Sequence, residues 1–125
     1  MAGETVLPIQ ETPDFIQDIT WHATLVQDVN ECYFYYCERD TVVDAVFAIT
    51  DVADADATVD MVKGAGGTSV LSSVITTAVV DTAYSGTMDT SENLVPAGTT
   101  LHLAFTNVNT ATGVLVQARI RTTIR

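Results

Sequence analysis

A chain of 125 residues and 13.4 kDa that is 47% hydrophobic, with a mean hydropathy of +0.26, holds enough apolar material for one packed domain and too much for wholesale disorder. Its formal charge of −11, from 16 acidic against 5 basic residues, excludes nucleic acid as a partner, because phosphate binding draws its affinity from clustered Lys and Arg. The same balance suits a saline or halophilic setting, and an ordinary acidic surface explains it equally well.

The N-terminal stretch MAGETVLPIQETPDF has neither a cationic start nor an apolar h-region, so no cleaved signal is expected; nor does any run reach the length of a membrane span, so no membrane partner is expected. Residues 1–18 hold Pro8, Pro13 and several acids without sustained periodicity, and they read as an extended N-terminal arm before a domain over 19–125. From Ile19, the segment ITWHATLV alternates Trp21, Ala23 and Leu25 against His22, Thr24 and Val26, which predicts a strand closed by a turn near Asp28 and Asn30. CYFYYC and TVVDAVFAIT supply the next two strands, separated by the charged turn Glu38, Arg39, Asp40. After the acidic loop DVADAD comes ATVDMVKG, which the GAGG turn from Gly64 to Gly67 should join to SVLSSVITTAVV as a hairpin. Helical spacing is nowhere sustained, and Thr82 to Met88 has room for a single turn. The last stretch, LVPAGTTLHLAFTNVNTATGVLVQARIRTTIR, reads as two alternating strands joined by a polar turn. In it Leu101, Leu103 and Phe105 share one face, as do Val114, Val116, Ala118 and Ile120, while Leu115, Gln117, Arg119 and Arg121 share the opposite one.

Short strands with Gly, Asp and Asn punctuation predict an all-β fold, an antiparallel sandwich of jelly-roll or Greek-key type. One segment breaks the one-face rule. CYFYYC puts Tyr33 and Tyr35 on one side and Phe34 and Tyr36 on the other, and the next strand sets Val43, Ala45, Phe47 and Ile49 opposite Val42, Asp44, Val46 and Ala48. Paired as a hairpin, these strands would fill the core with one side and leave a Tyr-rich apolar patch on the other, the composition of a protein interface. The competing reading folds the arm back over that face, and Trp21 fits either arrangement. Arg119, Arg121 and Arg125 in the final strand form a candidate docking edge on an otherwise anionic chain, or simply a solvated strand face. The odd separation of Cys32 and Cys37 places them on opposite faces of one strand, so they are expected as buried thiols rather than a redox or metal pair.

Catalytic signatures are missing from the sequence. His22 and His102 sit in alternating strands without a nucleophile motif nearby, and GxSxG, HExxH, P-loop and GxGxxG patterns do not occur. Asp51, Asp54 and Asp56 lack the turn glycine and terminal Glu of a calcium loop. The expectation is therefore a protein that is not an enzyme, with no cofactor and no metal.

The order of features in YFYYCERDTVVDAVFAI, VKGAGGTSVLSS, LVPAGTTLHLAFTN and VLVQARIRTTI resembles the small jelly-roll decoration and head-fibre proteins of tailed viruses over roughly residues 30 to 125. Those proteins share a Tyr-x-Tyr, turn, Thr-Val-x-x-Val start, a middle segment of the form Lys-x-Gly-Gly-Thr-Ser-Val-Leu, and a Leu-x-x-Gly-Asp-x-Leu turn into the last strands. Here Thr99 stands where Asp is common. The resemblance implies a virion structural protein, synthesised in a host cytoplasm, that sits on the outer surface of an icosahedral head. Its implied partners are itself, as a homotrimer, and the major capsid protein, with a fibre mounted on it in some cases. The interface residues expected on the combined reading are Trp21, Tyr33, Phe34, Tyr35, Tyr36, Val42, Val46, Arg119, Arg121 and Arg125. Two other functions remain open at this point: a carbohydrate- or receptor-binding sandwich module presenting aromatic platforms, and a tail or baseplate adaptor.

Overall fold

β-Branched and aromatic residues alternating with polar ones dictate strands, and the computed structural model, which describes residues 15–24, 31–51, 57–79, 81–106 and 113–122, arranges them in two antiparallel sheets. The long strands are β1 (Phe15–Thr24), β2 (Glu31–Cys37), β3 (Thr41–Thr50), β4 (Thr58–Lys63), β9 (Thr99–Thr106) and β10 (Gly113–Thr122). Shorter ones are β5 (Thr68–Ser69), β6 (Ile75–Thr76), β7 (Tyr84–Ser85) and β8 (Leu94–Val95). The expected arm over 1–18 lies outside the described residues up to position 14, and β1 already begins at Phe15. The single turn allowed at Thr82 to Met88 is occupied instead by β7.

The first sheet runs β1-β10-β3, with β7 and β8 sharing the far edge of β3; the second runs β2-β9-β4, with β5 and β6 on the far edge of β4. The chain thus alternates between sheets through β1, β2, β3 and β4, and its last two long strands return to the gaps, β9 between β2 and β4, β10 between β1 and β3. This is a jelly roll. Two expected hairpins are corrected by it. β9 and β10 are consecutive and alternating yet lie in opposite sheets, and β2 and β3, on either side of the Glu38–Asp40 turn, do so as well. The GAGG hairpin is present, pairing Val62 with Ser69 and Lys63 with Thr68. Its glycines are needed there: Gly64 has φ +84°, and a Cβ on Gly67 would lie 1.9 Å from the Lys63 carbonyl oxygen.

Inner-facing side chains of both sheets build the core, with Val43, Met61, Leu101, Leu103, Val116 and Ile120 fully buried. At the β1 and β2 edges the sandwich is closed by Trp21, stacked on Phe105 of the opposite sheet with centroids 5.5 Å apart, and by Gln17 Nε2 donating to the Tyr35 hydroxyl at 3.2 Å. Trp21 is therefore an interior residue that bridges the sheets.

Two β-bulges explain why strict period-2 reading failed. Between β10 and β3 the register steps from Arg119↔Ala45 to Ile120↔Val43, leaving Asp44 as the extra residue. Beyond it the parity of β3 inverts, so Val46, Ala48 and Thr50 are buried. Val46, expected on the outer face with Val42, is a core residue, and Phe47 and Ile49 are left partly exposed in its place. Between β2 and β9 the register steps from Tyr33↔His102 to Tyr35↔Leu101, and Phe34 is the extra residue. Cys32, Tyr35 and Cys37 then share the inner face with Leu103 and Leu101, and Phe34 packs against the core as well. The expectation that the cysteines occupy opposite faces is overturned, since the bulge absorbs the odd residue; both are free thiols, Cys37 buried and Cys32 half-buried.

Candidate interaction surfaces

The expected interface residues do not form one patch. Trp21, Phe34 and Tyr35 pack against the core and Val46 is within it, whereas Tyr33 and Tyr36 lie on the outer face of the second sheet. Val42, Arg119 and Arg121 lie on the outer face of the first sheet, on the opposite side of the sandwich. Arg125 falls outside the described residues.

On the first sheet's outer face, Val42, Phe47, Ile49 and Leu115 are partly exposed, and Ile16 and Leu94 are exposed at its margins. Pairing places Arg121 opposite Ile16 and Val42, and Leu115 opposite His22 and Ile49. Two ion pairs cross the strands: Arg119 Nε donates to Asp18 Oδ1 at 3.0 Å, and Arg121 Nε to Asp44 Oδ2 at 2.7 Å. The Asp18 hydrogen bond, then its charge, push the Arg119 guanidinium further up, so it stays cationic. As exposed pairs they contribute little to stability. The face is thus apolar with locally balanced charge, on a chain that is strongly anionic overall.

The second sheet's outer face is aromatic and acidic. Tyr33 is 75% exposed and Tyr36 55% exposed. Beside Tyr33, His102 is only 8% exposed, although it points away from the core. Its ring lies 4.9 Å from the Tyr33 ring at 54°, and its Nδ1 is 3.0 Å from Glu31 Oε2. The same oxygen accepts the Gly66 N–H at 3.1 Å, which ties the GAGG turn to β2. Together Glu31, Cys32, Tyr33, Ala65 and His102 line an open cavity of about 490 Å³. Burial, then the Glu31 charge, push the Cys32 thiol up, so it is neutral. Glu31 and His102 were missed by the sequence reading. Glu31 and Tyr33 share the parity of one strand face, but nothing local shows that β9 lies beside β2.

Of the acidic loop, Asp54 and Asp56 lie outside the described residues, and Asp51 Oδ1 accepts the Gly113 N–H at 2.9 Å. Among the described residues there is no group of three or more His, Cys, Asp or Glu placed to hold a metal, and no helix long and apolar enough to cross a membrane.

No protein-family model and no curated protein matches this sequence. The fold is similar to a chain of the solved cyanophage Pam1 capsid asymmetric unit, with a TM-score of 0.57 at 16% identity over 90% of this chain and 88% of that one. A chain in the structure of infectious bursal disease virus, Gx strain, aligns over 87% of this chain and 36% of its own length at 14% identity, with a TM-score of 0.34, which is too low to bear on the argument.

Proposed function

We propose that this protein is a virion structural protein that decorates or cements the outer surface of an icosahedral capsid. The observation that carries the reading is the fold match to a chain of a capsid asymmetric unit, which spans nearly all of both molecules. The two chains are therefore of about the same length. The sequence resemblance to decoration and head-fibre proteins points the same way. The two outer faces supply the attachments such a role requires. The apolar face around Val42, Phe47, Ile49 and Leu115 serves self-association as a homotrimer, and the aromatic, acidic face around Tyr33, Tyr36 and Glu31 serves the major capsid protein, with residues 1–14 as a further tether. Each 100 Å² of apolar surface removed from water would stabilise the assembly by about 2.5 kcal/mol before the cost of immobilising the partners.

The test is composition. Gradient-purified particles made by the genome that encodes this chain should contain it in a fixed ratio to the major capsid protein by quantitative mass spectrometry, and deleting its gene should leave heads that open at lower temperature. Particles without the chain, or with irregular trace amounts, would refute the assignment.

A further inference from the structure

We infer that the cavity lined by Glu31, Tyr33, Ala65 and His102 receives a basic side chain, an arginine guanidinium above all, presented by the protein lattice on which the domain docks. This rests on the proposed decoration role and names the chemistry of the partner at one site. Three observations carry it. The Tyr33 ring covers His102 with one side and is otherwise open to solvent, which leaves an aromatic surface free for a cation to stack on. Glu31 stands at the wall of the same cavity, fixed by His102 and the Gly66 N–H, so its carboxylate is positioned before any ligand arrives. The lining side chains include no Lys or Arg, and the chain as a whole carries −11, so the field at the site favours cations and opposes anions.

The hydrogen-bonding inventory selects further. The Glu31 carboxylate, which already accepts the Gly66 N–H, is an acceptor only. Cys32, held neutral, adds no competing charge. A guanidinium, planar and made of donors alone, matches an acceptor-rich wall beside a flat ring better than a sugar hydroxyl, which needs donors in return. A cavity of about 490 Å³ accommodates the head of such a side chain with room for its stem.

The experiment is an NMR titration of the full chain with N-acetyl-arginine methylamide, with the uncharged N-acetyl-citrulline methylamide and a panel of methyl glycosides run alongside. Saturable shifts at Tyr33, His102 and the Gly66 amide are expected with the arginine derivative alone. Glu31→Gln should weaken it roughly fivefold or more, and Tyr33→Ala should abolish it while leaving the melting temperature unchanged. Equal shifts with the citrulline derivative, shifts with glycosides only, or no saturation would each overturn the inference. A chain that is a fixed particle component yet ignores the arginine derivative removes the inference and leaves the decoration role standing. One that binds the derivative but is absent from particles removes the role instead.

Discussion

Cys37 shows how the interior acts on a single group. It has no accessible surface, and burial pushes its thiol up, opposed by a weaker hydrogen bond with Thr41. Cys32 is pushed the same way by burial and by the neighbouring Glu31 charge. Both thiols stay protonated in the folded chain at a pH where the unfolded chain, with an ordinary thiol near 8.5, has begun to release its protons. The unfolded state then binds fewer protons than the native one, so stability should fall as pH rises from about 8.5 towards the raised native values. Below that window the two thiols leave stability independent of pH. The thiolate is also the reactive form, so Cys37 should react with a disulfide reagent at about pH 8 only as fast as the domain opens. Labelling of a Cys32→Ser variant should therefore track its unfolding rate measured separately in urea. A burst of labelling in the native state would show that Cys37 is accessible.

At the scale of the strand, the sequence displays alternation clearly and conceals the places where alternation slips. The run of β-branched residues, the GAGG turn and the core set Leu101, Leu103, Val114, Val116 and Ile120 are all legible, because each depends on local chemistry and a constant period. The bulges at Phe34 and Asp44 are not, since an inserted residue is defined by what the partner strand lacks. Both faces of CYFYYC look apolar for that reason: one extra residue lets Cys32, Tyr35 and Cys37 all point inward from an odd spacing. The interface reading inherited the slip, assigning Tyr35 and Val46 to a surface they do not reach. Pairing of β9 with β2, and hence the Glu31–His102 contact, depends on a long-range topology that hairpin signals do not encode. The bulge makes a direct prediction. Tyr35→Ser removes a half-buried ring and the acceptor of the Gln17 amide, and should cost about 2–4 kcal/mol in urea unfolding. Tyr33→Ser and Tyr36→Ser, on the outer face, should each stay within about 0.5 kcal/mol of the parent. Equal losses at Tyr33 and Tyr35 would mean that the register step is misplaced.

For the molecule as a whole, a charge of −11 on 125 residues and an apolar outer face around Phe47 pull in opposite directions. Copies of the chain repel one another at low ionic strength and attract through that face once the repulsion is screened, since the Debye length falls from about 30 Å at 0.01 M salt to about 3 Å at 1 M. Sedimentation of the purified protein across a salt series should therefore show mass rising with salt towards a homotrimer, the reverse of what an assembly held by ion pairs would do. Two variants separate the parts. Phe47→Asp places a charge on the outer face of β3 and should leave a monomer with the parent's urea midpoint, because the side chain is outside the core. Removing residues 1–14 stops just short of β1, so every described strand pairing is retained, and the shortened chain should fold, self-associate as the parent does and lose occupancy on particles. A parent that is monomeric at every salt concentration would rule out self-association through the first sheet. A shortened chain that fills particles as well as the parent would leave attachment entirely to the Tyr33 face.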